Sequence, residues 1–387
     1  MNPKQLLLIL VAGCVVVATA VIVSQQRTAA YRPSQHQSTK LLASFDPNTI
    51  TQVTIRADTN TVSLIKTDAV WGVHERANYP ADFGKVSALL RKFWELTRAR
   101  SVPVGPSRLT ALRLEGAAKG SIEVALRSDA DTLVHSVTIG TNMVNQSDEW
   151  PGSRYVMVDA DPQSVALVND TFPEIELSPA HWINKDFIKV DNVIRISVAS
   201  TNAAAGWTLT RADTSADWTL TDAGKDETLD TSKTSGLNNI LSSARINDVI
   251  ISANQNESGL DQPTVATIDN KDGFTYTIDI GSTSGGDRHI RVKVNASLRE
   301  SRIPGTDEKP ENKEKLDKEF TATIARLQSK LETEKRLEKH IYLVPEWTLE
   351  SLLRPRSDLL KQPEPAGTGD AATGEVAPET KQPPSPR

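Results

Sequence analysis

Apolar and polar positions alternate along this chain in one order twice over, and each pass predicts the same elements. Ile50, Val53 and Ile55 in the first pass, and Val193, Ile196 and Val198 in the second, mark a strand with one buried face. A hairpin follows each. Val62, Leu64, Lys66, Asp68, Trp71 and Val73 correspond to Trp207, Leu209, Arg211, Asp213, Trp218 and Leu220: an alternating strand, an Asp-containing turn, and a second strand carrying Trp. The period then changes to that of a helix. Asp82 and Asp230 stand as N-caps, ahead of the stripes Val86, Leu89, Leu90, Phe93 and Leu237, Ile240, Leu241. Strands return at 122–126 and 135–141, and at 264–268 and 276–282, with Ile139-Gly140-Thr141 matching Ile280-Gly281-Ser282. Each copy closes with a strand leading into a short helix, 154–168 aligned with 340–353, and Asp161-Pro162 is an N-cap with Pro at the first helical position.

Three segments depart from this pattern. Leu6 to Val23 carries no charge, and its 18 residues span about 27 Å as a helix, close to the hydrocarbon core of a bilayer. A secretory core is shorter. Two processing sites lie inside the run. Leu10 to Cys14 resembles a lipoprotein box that would remove residues 1–13, and Ala18-Thr19-Ala20 resembles a signal-peptidase site. Either would leave apolar residues where a polar stretch is expected, so the length favours an uncleaved anchor with Cys14 as a small apolar residue within it. The second departure is an insertion over about 295–339, strongly helical, with Leu316, Phe320, Ile324, Leu327 and Leu331 in a narrow stripe flanked by Glu and Lys. It is either a partner-binding helix or a helix packed back on its own unit. The third is 361–387, with six prolines and no apolar pattern, which composition reads as a disordered tail.

The organisation that follows is α+β. A short cytoplasmic tail (1–5), a transmembrane anchor (6–23) and a linker (24–40) precede a first β-rich unit (41–180) and a second (181–360). Each unit is strand, hairpin, helix, strands and short helix.

Composition narrows the partners. The net charge of −5 leaves no basic face of the kind that holds a phosphate backbone, which argues against nucleic acid. Hydrophobic content of 38% is low because the tail and insertion are polar, so the two units can still bury ordinary cores. One cysteine, Cys14, excludes an internal disulfide and a cysteine-based metal site. Charge leaves the orientation of the anchor near balance. Lys4 and the α-amine lie on one side, Arg27, Arg32 and Lys40 on the other, leaning slightly against export of the body. The short N-terminal tail, like that of an uncleaved signal, favours the N-terminus inside.

The order of the elements resembles a known family. An N-terminal anchor is followed by FDPNTITQVTI (45–55), the W-x-[VL] hairpin, the Asp-capped helix, GLDQPTVATI (259–268), the I-G-[TS] strand and a YLV-type strand before a helix. Together these resemble the bacterial domain-of-unknown-function family 4340, over about residues 41–360, present twice. The resemblance implies a single-pass protein of the bacterial inner membrane with its bulk on the periplasmic side. It further implies association with ABC-type permease or auxiliary subunits like those of gliding-motility systems. The charged insertion and the proline-rich tail are not part of the family pattern.

Motifs that would carry chemistry are sparse. No G-x-x-x-x-G-K-[ST], H-E-x-x-H or G-x-S-x-G occurs, and Gly281 to Gly285 puts Thr283 at the nucleophile position. The histidines at 36, 74, 135, 181, 289 and 340 are scattered singly, which suits surface or turn roles. Asp159-x-Asp161 suits capping better than a cation site. Asp68 and Asp213 suit hairpin turns better than paired acid–base work. Trp71 and Trp218 read as core residues, with an exposed platform as the alternative. No catalytic residue, metal or cofactor is therefore expected. The leading expectation is a non-enzymatic accessory or scaffold protein of a membrane export complex, and the runner-up is a periplasmic glycan- or peptide-binding module.

Overall fold

The computed structural model describes residues 40–361, except 43–44, 118–119, 144–151, 201–204, 226, 252–256 and 305–307. The predicted anchor with Cys14, nearly all of the linker and nearly all of the proline-rich tail lie outside the described residues. Among the described residues, no helix is long and apolar enough to cross a membrane. The chain divides into two compact units, Met1–Asp186 with Asn247–Ile251, and Phe187–Ile246 with Ser252–Arg387. The architecture is α+β, with two antiparallel sheets and few helices.

The first unit holds β1 (Ile50–Ala57), β2 (Asn60–Thr67), β3 (Val70–Val73), β4 (Tyr79–Pro80), a helix Phe83–Glu95, β5 (Arg100–Ser101), a helix Pro106–Ala111, β6 (Ile122–Ser128), β7 (Thr132–Met143), β8 (Ser153–Val158) and β9 (Ala166–Val168). The sheet order is β4-β3-β2-β1-β6-β7-β8-β9-β5. The alternation read from the sequence sets the buried face. Val53, Ile55, Val62, Leu64, Val124, Leu126, Val137 and Ile139 are fully buried, and Val86, Leu89 and Phe93 of the helix are buried with them. Asp82 caps that helix, accepting the Lys85 N–H at 3.2 Å. The β2–β3 turn is Asp68-Ala69, with φ of +47° and +68°, a left-handed pair that twists in the sense two-residue hairpins require.

The second sheet repeats this plan with β10 (Val193–Ala199), β11 (Trp207–Thr210), β12 (Thr219–Leu220), β13 (Asp248–Ile250), β14 (Thr264–Asn270), β15 (Phe274–Ser284), β16 (Asp287–Ala296) and β17 (Ile341–Pro345). Its order is β12-β11-β10-β14-β15-β16-β17-β13. Register makes the correspondence residue by residue. Ile55 faces Val62 and Val198 faces Trp207; Val53 faces Leu64 and Ile196 faces Leu209. The irregularities repeat as well. β1 shifts register against β6 between Ile50 and Gln52, as β10 does against β14 between Val193 and Arg195. β7 shifts against β8 between Ile139 and Asn142, as β15 does against β16 between Ile280 and Thr283. Bulges are placed features of a sheet, so their recurrence makes the sheets two forms of one design.

Three sequence expectations are corrected. The strand 154–158 does not correspond to 340–344. The sheet order and register pair β8 with β16 and β9 with β17, so that Arg154 matches Arg288 and Val168 matches Val344. β16 is masked in the sequence because its alternation carries Arg and Lys and merges into the charged insertion. The short helix expected after Asp161 is only a 3₁₀ turn, Pro162–Ser164, followed by β9. The second copy's helix after Asp230 is replaced by 3₁₀ turns, Thr231–Lys233 and Ser235–Asn239, although Leu237, Ile240 and Leu241 are buried as expected. Ser, Thr, Gly and Asn dominate that segment and compete with helical backbone bonding. Asn238 is committed elsewhere, its Oδ1 accepting from Arg211 Nη1 (2.8 Å) and Trp218 Nε1 (2.9 Å).

The I-G-[TS] motif acquires a structural reason. A Cβ on Gly140 would lie 2.2 Å from the Leu112 carbonyl oxygen, and one on Gly281 would lie 2.0 Å from that of Ser258. The same carbonyls accept the N–H of Thr141 (2.9 Å) and Ser282 (2.7 Å). In both units a chain segment crosses the bulge so closely that no side chain fits between. The crossing segments turn alike, with Arg113 at φ +52° and Gly259 at φ +65°. Arg154 Nε donates to the Gly140 carbonyl at 2.7 Å and Arg288 Nη1 to that of Gly281 at 3.2 Å. Gly140→Ala and Gly281→Ala are each expected to cost about 2–4 kcal/mol. Gly105→Ala, with nothing within 4 Å of its Cβ, is expected to stay within about 0.5 kcal/mol of the parent. Denaturant unfolding followed by circular dichroism checks this, and wild-type midpoints for the first two would show that the crossing tolerates a methyl group.

Candidate interaction site

The second unit departs most from the first between β16 and β17. There the chain runs through 297–340, whereas the first unit passes from β8 to β9 through 159–165. Most of the excursion is a 23-residue helix, Lys313–Lys335, about 34 Å long. Charged pairs one turn apart support it: Lys318 with Glu314 at 2.8 Å, Lys315 with Glu319 at 3.8 Å. The apolar stripe faces inward. Leu327 is buried, and Leu316, Phe320, Ile324 and Leu331 are half-buried. The outward side is charged and carries an open, shallow face along Pro310, Lys313, Asp317, Thr321, Ala322 and Ala325.

The helix is braced at its start within the insertion and tied to the sheet at its end. At the start, Arg302 Nε donates to Asp317 at 2.7 Å and Nη2 to Glu308 at 2.7 Å. At the end, Glu334 is 5% exposed. Its Oε1 accepts the Lys189 N–H and its Oε2 the Tyr276 hydroxyl, both at 3.0 Å. Lys330 donates to the Lys189 carbonyl at 2.5 Å and sits 5.0 Å from the centroid of the Phe274 ring. Burial raises the pKa of Glu334. Glu338 accepts the Val294 N–H at 2.8 Å. The point of attachment is inherited: Tyr276 faces Ile268 as His135 faces Leu126. In the first unit His135 Nδ1 lies 2.9 Å from Asp159 Oδ2. Each unit therefore ties this connection to the same sheet position through a carboxylate.

A second exposed feature follows β17. Trp347, in the 3₁₀ turn Glu346–Thr348, is 73% exposed. It borders a cavity of about 500 Å³ lined by Arg288, Glu346, Glu350, Leu353, Arg354 and Pro355. Arg288 is paired with Glu346, and Arg354 with Glu350 at 3.4 Å. The Arg288 Nε is buried without a hydrogen-bond partner among the described residues.

The other residues marked by the sequence serve the fold. Trp71 and Trp218 are 5% and 4% exposed and form no platform; the Arg211 guanidinium stacks 4.5 Å from the Trp218 ring. Asp213 accepts the N–H groups of Ser215 and Ala216. Asp161 caps the 3₁₀ turn, while Asp159 takes the Ser136 N–H as well as His135. His289 departs from the surface expectation: it is buried on β16, its Nδ1 3.0 Å from the Ser282 carbonyl oxygen. Among the described residues, no three His, Cys, Asp or Glu side chains converge as a metal ion would require. Trp347 escaped the sequence reading because a single Trp after a strand carries no sign of its exposure.

Residues 71–263 match the family described as "Domain of unknown function (DUF4340)", which supports the resemblance read from the order of elements. The matched span runs from β3 to just before β14, narrower than the sequence resemblance. No curated protein and no solved structure matches the chain.

Glu334 makes the second unit's stability depend on pH. Its folded pKa is raised by burial, so its contribution is full below the ordinary carboxyl value near 4.5 and is lost as pH rises through the folded value. The unfolding free energy of the parent, minus that of Glu334→Gln, is expected to rise as pH falls from neutral towards 5. Paired denaturant titrations check it, and a flat difference would mean the carboxyl is not desolvated.

Proposed function

We propose that this chain is a membrane-anchored, extracytoplasmic accessory or scaffold protein, presenting two β-rich modules to an ABC-type export or gliding-motility-like complex. The reading is non-enzymatic. The observation that carries it is the insertion helix: an addition to the second of two sheets built on one plan, braced at its start by Arg302 and tied to the sheet at its end by Glu334, with a charged, open face left outward. A helix held this way presents a fixed surface at little further ordering cost on binding. The apolar run 6–23 and the family resemblance support placing it at the inner membrane, facing permease or auxiliary subunits. The support from the family is analogy of fold and order, not of a site.

The test is co-purification of the full chain from native membranes in mild detergent. Permease or ATPase subunits are expected with the parent and lost with the double substitution Ala322→Arg and Ala325→Arg, which changes the size and charge of the outward face without touching the apolar stripe. A chain that purifies alone, or that shows turnover, contradicts the proposal.

The exposed Trp347 favours a second reading, a glycan- or peptide-binding module. An indole face beside guanidinium and carboxylate groups can stack on a sugar ring and bond its hydroxyls. Retention of the full chain on peptidoglycan that disappears in Trp347→Ala would support this reading over the first; equal retention of both proteins would remove it.

A further inference from the structure

The helix Phe83–Glu95 buries Val86, Leu89, Leu90 and Phe93 but leaves two aromatic side chains in solvent, Phe83 at 67% exposed and Trp94 at 41%. Three helical turns separate them, so they lie on one side of the helix roughly 16 Å apart, along the margin of its buried stripe: the half-buried Ser87 and the buried Leu90 flank the line that joins them, and the exposed Arg91 stands further out on the solvent side. Glu95 falls a third of a turn further round. The chain enters the first unit at this place. The Lys40 ammonium lies 3.5 Å from the centroid of the Trp94 ring. The Leu41 N–H donates to the Leu96 carbonyl at 2.7 Å. Leu41 and Leu42 are buried behind it. Between Val23 and Lys40 the sequence has Arg27 and Arg32 and no acidic residue.

We infer that Phe83 and Trp94, with Arg91 and Lys40, form the face by which the first unit rests on an anionic lipid surface. The inference builds on the reading of 6–23 as an anchor. Three observations carry it. Exposed Phe and Trp flanked by Lys and Arg make the composition of an interfacial helix face, the rings entering the headgroup layer while the cations meet lipid phosphates. The segment 24–39 is short enough, at about 3.5 Å per residue fully extended, to keep Lys40 within about 55 Å of the bilayer. And Lys40 and Arg91 give the two rings a cationic flank of the kind that meets anionic lipid.

The test uses the full chain, with Cys14→Ser and a spin label on Ser87→Cys, reconstituted in vesicles of phosphatidylcholine alone or mixed with phosphatidylglycerol. A second sample carries the label on Ser215→Cys in the second unit. In the mixed vesicles, oxygen is expected to reach the Ser87 label severalfold more readily relative to a water-soluble nickel reagent than it reaches the Ser215 label. The difference should collapse in Phe83→Ser with Trp94→Ser, and shrink in molar salt, where the Debye length falls to about 3 Å. If the chain floats with the vesicles after alkaline wash but the Ser87 label stays as wet as the Ser215 label, the anchor stands and this inference fails. If the chain washes off, the anchor reading fails and the inference fails with it.

Discussion

The carbonyl oxygens of Leu112 and Ser258, lying where a side chain on Gly140 or Gly281 would have to be, are the constraint from which the rest of each unit follows. The crossing occurs at a bulge on the longest strand of each sheet, and the bulge decides which residues of β7 and β15 face the core beyond it. The bonds from Thr141 and Ser282 hold the crossing segment on one side of the bulge, and Arg154 and Arg288 hold the glycine carbonyl on the other. A larger residue would displace backbone, not a flexible side chain, so relaxation is closed off. That both units keep the arrangement, while hairpin lengths and helix type vary around it, marks it as the fixed part of the design.

The second unit's additions are built onto this part. The insertion enters after β16 and returns at β17, and its closing turn is tied to the sheet at Tyr276, the place taken by His135 in the first unit. Carboxylate attachment at that position thus needs no new groove in the sheet, only a longer loop whose acid lies further along the chain. Lys330, beside Glu334, also crosses the face of Phe274, so the end of the helix is held by an ion pair, hydrogen bonds and an aromatic surface together. This accounts for a highly charged helix lying ordered against a sheet.

The repeat was legible because its signals are local. Alternation around Val53, Ile55, Val62 and Leu64, a turn at Asp68, and the cap at Asp82 depend on neighbours in sequence, and each has its counterpart in the second copy or a near one. What was not legible depends on distant partners. The correspondence of β8 with β16 is set by pairing across the sheet, and the charged residues of β16 hid its alternation. The helix expected after Asp230 gave way because Asn238 serves Trp218 and Arg211, which no window of sequence shows. For the candidate site, the stripe on the insertion and its packing back on its own unit were open to the sequence, but the tie through Glu334 was not, since a Glu amid Lys and Glu looks like solvated surface. Trp347 and the line from Phe83 to Trp94 are matters of exposure, which periodicity alone does not give.

Both sheets end in fragments. The outermost strands are Tyr79–Pro80 and Arg100–Ser101 in one, Thr219–Leu220 and Asp248–Ile250 in the other. A strand of two or three residues offers too few free amides and carbonyls to template a neighbour, and Pro80 removes a donor from one of them. Copies of one protein meet often wherever it is concentrated, and a long bare margin then invites zippering into fibrils. With margins this brief, lateral association through backbone pairing is discouraged, and recognition of any companion is left to side chains.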